Sequence, residues 1–102
     1  MLPRISKILQ INGFIVTCKW NNGEERAIDF SRLLSDYPAE IMHKILDRKV
    51  FQTIKVNHEA KTIYFPNILQ FTTPDGEAIQ NYLDFSPDVL YSHSQKIEMT
   101  LN

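Results

Sequence analysis

Residues 4–11 place Ile5, Leu9 and Ile11 on one parity, the spacing of a strand with Lys7 as its flaw. Asn12-Gly13 then punctuates the chain. Residues 14–20 alternate most clearly. Phe14, Val16, Cys18 and Trp20 interleave with Ile15, Thr17 and Lys19, and β-branched and aromatic residues dominate. Beyond Asn21-Asn22-Gly23, the segment Glu24 to Phe30 brings Ile28 and Phe30. A two-residue loop at Asn22-Gly23 would set Val16 opposite Asp29 and send the apolar residues of the two strands to opposite faces. A three-residue loop of Asn21-Asn22-Gly23 pairs Phe14 with Phe30 and Val16 with Ile28, with Gly23 at the left-handed position that closes such loops. The longer loop is therefore expected.

The period then changes. Ser31 is placed to cap a short turn through Arg32, Leu33 and Leu34, and Pro38 at a first helical position opens a helix over Ala39 to Arg48. Ile41, Met42, Ile45 and Leu46 form its apolar face, opposite Glu40, Lys44 and Asp47. Residues 50–58 and 61–65 predict a second hairpin. A four-residue loop, His58-Glu59-Ala60-Lys61, aligns Val56 with Ile63 and Ile54 with Phe65. Pro66 is expected to end that strand or to mark an edge. Residues 67–85 fit two patterns. Thr73-Pro74-Asp75-Gly76 suits the turn of a third hairpin with Phe71 opposite Ile79, the reading preferred here. Thr73 equally suits the cap of a helix bearing Ala78, Ile79, Tyr82 and Leu83 on one face. Ser86-Pro87-Asp88 predicts a capped helix to about His93 that buries Val89 and Leu90, and 94–102 reads as a loose tail or an edge strand.

Together these elements predict an α+β fold: a mostly antiparallel sheet of four to six strands in two or three hairpins, covered by one amphipathic helix and a short C-terminal helix. A length of 102 residues suits one domain, 1–102, and a 43% hydrophobic share suffices for a core without disulfide or metal. Eleven basic residues face twelve acidic ones, without the surplus or stripe that phosphate neutralisation requires, so nucleic acid is not the expected partner. The single cysteine, Cys18, excludes an internal disulfide and sits mid-strand on an apolar face, where a thiol packs as a small hydrophobe. Polar residues interrupt the first stretch too early for a secretion signal, and no apolar run approaches bilayer length. A cytoplasmic protein is the expectation.

Several segments taken in order resemble the bacterial domain-of-unknown-function family 2442. The likeness runs through Ile8 to Ile11, Phe14 to Trp20, Asn22-Gly23-Glu24 and Asp29-Phe30, then Phe51, the hairpin Thr53 to Phe65, and Pro66-Asn67. It closes on Asp84, Pro87, Leu90-Tyr91 and Ser94, and so covers most of residues 4–94. Phe65 stands where the family commonly has tryptophan, no glycine follows Asn67, and Ile68 to Leu83 is longer than the usual short link. The resemblance implies a small bacterial interaction protein, the partner or antitoxin-like member of a two-protein pair. It transfers no catalytic residue.

Chemistry-bearing residues are sparse. His43, His58 and His93 lack metal-ligand spacing, the three glycines are too scattered for a phosphate loop, and no nucleophile elbow occurs. Asp29, Asp84 and Asp88 are the carboxylates at family-like positions, each explicable by strand-end, turn or helix-start bonding. No cofactor, metal or catalytic set is expected. An aromatic recognition patch formed by Tyr64, Phe65, Pro66, Asn67, Asp84 and Tyr91 is the candidate interaction surface, with core packing as the competing reading. The expected function is binding to another small protein or to a second copy. The alternative is a nucleic-acid-associated accessory or transcriptional regulator, using a patch such as Arg48, Lys49, Lys55 and Lys61. A small enzyme, third in order, would have to gather His58 or His93 with Asp84 or Asp88.

Overall fold

The computed structural model describes residues 2–97, with only the backbone described at 70, 71, 79 and 80. Two antiparallel sheets follow from the hairpins. Strands β1 (Ile5–Asn12), β2 (Ile15–Trp20), β3 (Glu25–Asp29) and β7 (Ser94–Lys96) form the first, in the order β1-β2-β3-β7. Strands β4 (Lys55–Asn57), β5 (Thr62–Thr72) and β6 (Ala78–Asp84) form the second, in that order. Between β3 and β4 lie α1 (Phe30–Leu33), a 3₁₀ turn, α2 (Ala39–Ile45) and α3 (Arg48–Phe51), and α4 (Pro87–Ser92) precedes β7. The fold is α+β, as the alternation of periods predicts.

The three hairpin registers expected from the sequence are found next to their turns. Val16 pairs with Ile28, the chain reverses through Asn21-Asn22-Gly23, and Gly23 has φ +87°. Val56 pairs with Ile63 around residues 58–61, where Lys61 takes the left-handed conformation at φ 54°. Phe71 pairs with Ile79, so residues 67–85 take the hairpin and not the helix. Thr73 holds that turn with its carbonyl accepting from Gly76 N and its hydroxyl from Glu77 N. Residues 94–96 are the edge strand, and the remainder of the expected tail, 98–102, lies outside the described residues.

Several local expectations are corrected. In β1 the single parity fails, because the register against β2 shifts after Ile5 and again after Ile8. Each extra residue flips the alternation. Ile5 and Ile8 therefore pack on the core and Leu9 turns away from it, while Ile11 returns to the side of Val16 but stays exposed. The cap of α1 is Asp29 and not Ser31; its carboxylate accepts from Ser31 N at 3.0 Å. Pro38 flanks α2, which stops at Ile45 and does not continue to Arg48. Asp47 adopts an extended conformation and caps α3 by accepting from Lys49 N and Val50 N, so Val50 and Phe51 are helical and not strand. Pro66 does not end its strand but does mark an edge, the other outcome expected for it. It lies just past Tyr64, the last β5 residue paired with β4, where a missing N–H costs the ladder nothing on that side. Finally, Ser86-Pro87 does open α4 and Leu90 is buried, but Val89 is exposed.

Buried residues from both sheets join in one cluster. Phe30 lies within it, its ring edge-on to Phe51, Phe65 and Phe85. Thr62, itself buried, donates its hydroxyl to the Phe85 carbonyl and ties β5 to the exit of β6. The extents of 61 × 26 × 21 Å describe an elongated particle.

Candidate interaction surface

The six candidate residues separate by strand parity and by element. Phe65 is fully buried, its ring against Phe30, Phe51 and Phe85. It belongs to the core and offers nothing to a partner. Tyr64, one residue earlier, points to the other face, where its ring meets that of Tyr82 at 6.0 Å in a T-shaped arrangement. Asp84 lies opposite Tyr64 in register and is exposed. Pro66 is half-buried and Asn67 is exposed with φ 58°, inside a wide irregularity: three β5 residues, 66–68, stand between the pairs Phe65–Leu83 and Leu69–Asn81, opposite Tyr82 alone. Such a bulge bends the ribbon and re-aims its side chains. Tyr64, Pro66, Asn67 and Asp84 thus share one region at the base of the β5–β6 ribbon. Tyr82, 52% exposed, belongs with them and was not among the sequence candidates. Its signal was the uncertain 67–85 segment.

Tyr91 is located elsewhere. From α4 its ring packs edge-on against Trp20 at 5.1 Å, and the Arg26 guanidinium lies 4.2 Å from the ring centroid. Its hydroxyl donates to Glu24 Oε1, which also accepts from Asn22 Nδ2 and faces Arg26, while Glu24 Oε2 faces Lys96. The Tyr91 hydroxyl, then Asn22, holds the Glu24 carboxyl below its ordinary range, against a smaller opposing effect of desolvation. Arg26 in turn donates to the Ser94 hydroxyl and carbonyl. This network fastens α4 and β7 to the β2–β3 hairpin, a structural role.

Beyond the bulge the second sheet narrows to β5 and β6. Among the described residues, β6 has a strand neighbour on one side only, and β5 has none but β6 past Tyr64. No charged residue occurs from Thr62 to Pro74 or from Ala78 to Leu83, and no lysine or arginine from Thr62 to Gln95. Natural edge strands are commonly blunted by charge, above all lysine. This one is not.

A cleft of about 750 Å³ opens on the outer side of the first sheet, lined by residues that include Ile15, Ala27, Asp29, Arg32, His93 and Gln95. Two of its titratable groups are engaged locally: Asp29 accepts from the Ser31 amide and hydroxyl, and His93 Nδ1 lies 3.0 Å from the Val89 carbonyl. Neither Asp84 nor Asp88 lines it, and Asp88 pairs with Arg4 at 3.5 Å. His43 and His58 are exposed, and among the described residues no three His, Cys, Asp or Glu side chains are grouped to hold a metal. Cys18 is fully buried, and burial pushes its thiol up to about 12, which keeps it protonated and unreactive at neutral pH. Arg48, Lys49, Lys55 and Lys61 are all exposed. No described helix is long and apolar enough to cross a membrane.

No protein-family model, curated protein or solved structure matches the chain.

Proposed function

We propose that the protein is a binding module for another polypeptide, engaged through the β5–β6 ribbon and the Tyr64–Tyr82 face at its base. The observation that carries this reading is the ribbon itself: two strands, uncharged from Phe65 to Thr72 and from Ala78 to Leu83, extending beyond Lys55, where β4 begins. A two-stranded hairpin is at best marginally stable alone and gains from a third strand or a covering face. Edge pairing supplies main-chain hydrogen bonds, and the exposed tyrosine supplies the amphipathic contact that interfaces favour. The absence of lysine and arginine from Thr62 to Gln95 weighs against a nucleic-acid partner for this element, since phosphate contacts require them. The likeness to the bacterial family points the same way, toward a cytoplasmic partner or antitoxin-like member of a two-protein pair, acting by binding and not by catalysis.

The test is an affinity pull-down of the tagged chain and of its Tyr82→Asp variant from native lysate, with and without nuclease. One polypeptide recovered equally in both treatments and lost with the variant is the expected result; an untagged copy of the chain counts as such a polypeptide. Recovery that collapses with nuclease, or that ignores Tyr82→Asp, overturns the reading.

A further inference from the structure

We infer that the polypeptide bound at the base of the ribbon is cationic, an extended segment whose arginine or lysine side chain lies against the Tyr64–Tyr82 rings and pairs with Asp84. The inference rests on the reading of that face as the binding element and adds the chemistry of its partner.

Strand pairing and parity place the three residues on one face. Asp84 lies directly opposite Tyr64, and Tyr82 stands two residues before Asp84 on the same strand, so all three leave the sheet on the side away from buried Phe65. The two rings meet at 85° with centroids 6.0 Å apart, Tyr82 is 52% exposed, and Asp84 is exposed. An aromatic face attracts a cation, and a carboxylate bonds to it. The same combination is already used elsewhere in the fold, where the Arg26 guanidinium lies 4.2 Å from the Tyr91 ring centroid and 3.4 Å from the Glu24 carboxylate. Tyr64, Tyr82 and Asp84 repeat those two kinds of partner, with a second ring. Among the described residues no cation of the chain engages them. Lys55, beside Tyr64 on β4 and the nearest by register, is exposed and makes neither an ion pair nor a ring contact.

The distribution of charge along the chain selects the same occupant. Residues 62–95 hold four acids, Asp75, Glu77, Asp84 and Asp88, and no lysine or arginine, whereas ten of the eleven basic residues precede them. The nearly neutral total therefore conceals an acidic second half. Asp88 is paired with Arg4, while Asp75, Glu77 and Asp84 are exposed and form no ion pair among the described residues. Glu77 and Asp84 bracket β6 at a separation of about 23 Å for an extended strand, so cations about seven residues apart on a partner segment would meet both. A neutral segment gains nothing from these carboxylates and an acidic one is repelled, whereas a cationic one is complementary to them. Docking on the face also leaves the Tyr82 amide bonded to Asn81 Oδ1, because it requires no main-chain pairing along the edge.

The test titrates a peptide of about seven residues, alternating arginine and serine so that an extended backbone turns every arginine to one side. It is added to the isotope-labelled full chain, and amide and ring signals are read by nuclear magnetic resonance. Shifts centred on Tyr64, Tyr82 and Asp84 are expected, with binding that weakens as salt is raised. Asp84→Asn is expected to weaken binding about threefold, the effect of losing an exposed ion pair. Tyr82→Leu is expected to weaken it about fivefold, whereas Tyr82→Phe keeps the ring and leaves it nearly unchanged. A peptide with glutamate in place of arginine should not bind. The same spectra check that each variant is folded.

Absence of shifts at the highest soluble peptide concentration overturns the inference, as do shifts centred on other residues. So does binding that ignores both Asp84→Asn and Tyr82→Leu, or equal binding of the glutamate peptide. A chain that ignores the arginine peptide yet captures a polypeptide from lysate, sensitive to Tyr82→Asp, leaves the binding-module reading in place and removes only its cationic partner. A chain that does neither removes both.

Discussion

Phe30 is one of the residues through which the two sheets hold each other, and its removal should weaken both at once. It follows β3 of the first sheet directly, while two of its ring partners, Phe65 on β5 and Phe85 after β6, belong to the second. The centroid distances are 5.4 Å to Phe51, 6.0 Å to Phe65 and 5.6 Å to Phe85, all edge-on, and Phe30 is fully buried. Phe30→Ala leaves a ring-sized cavity between elements that cannot collapse without moving both sheets, a change that costs about 3–5 kcal/mol. That is a large part of the roughly 5–15 kcal/mol that holds a domain folded. Phe30→Leu keeps most of the apolar volume and loses the three edge contacts, each worth about 0.5–1.5 kcal/mol, so an intermediate loss of about 2 kcal/mol is expected. Urea unfolding provides the assay. The single tryptophan, Trp20, is buried in the first sheet and reports on it by fluorescence, while far-ultraviolet circular dichroism reports on both sheets. With a slope of about 2 kcal/mol per molar urea, the alanine variant should unfold about 2 M earlier, with the two probes coincident. A loss below about 1 kcal/mol, or a Trp20 transition that stays in place while dichroism shifts, would refute the coupling.

Two further outcomes follow from the polar contacts. Glu24 has its folded pKa lowered chiefly by the Tyr91 hydroxyl, so its contribution is fully present above the ordinary glutamate range and is lost as pH falls through the folded value. The stability difference between wild type and Tyr91→Phe should therefore narrow in acid, and a difference unchanged from neutral to acid pH would show that the bond to Glu24 adds nothing. Asp47→Ala removes the acceptor for Lys49 N and Val50 N and should cost about 1 kcal/mol, with faster amide exchange at those two residues. An unchanged exchange pattern would mean that α3 stands without its cap.

The binding reading and the core share one structural cause, the alternation of faces along β5. Tyr64 and Phe65 are adjacent in sequence, yet one meets Tyr82 on an outer face and the other lies in the aromatic cluster. A patch assembled from sequence neighbours therefore divides between surface and core. The bulge at residues 66–68 then carries the ribbon onward with Asn67 in a left-handed conformation, which asparagine adopts more readily than most residues.

What the amino-acid sequence determined by itself is the short-range structure: the registers of the β2–β3 and β4–β5 hairpins, the buried face of β2 with Cys18 in it, and the onset of α4, whereas it left residues 67–85 open between a hairpin and a helix. These depend on loop length, on the two-residue period of a strand and on a few conformationally special residues, all within a dozen positions of one another. Only the tertiary structure decided the rest. The bulges in β1 exist against a particular partner strand, and no period within β1 announces them. Pro66 breaks a strand only if a neighbour requires its N–H, and β4 ends before it does. The helix break at Asp47 delivers Phe51 to rings contributed by residues 30 and 65, and Tyr91 finds its partners at residues 20, 24 and 26. Each of these outcomes is set by which distant surface comes to lie alongside, a long-range contact that local periodicity does not encode.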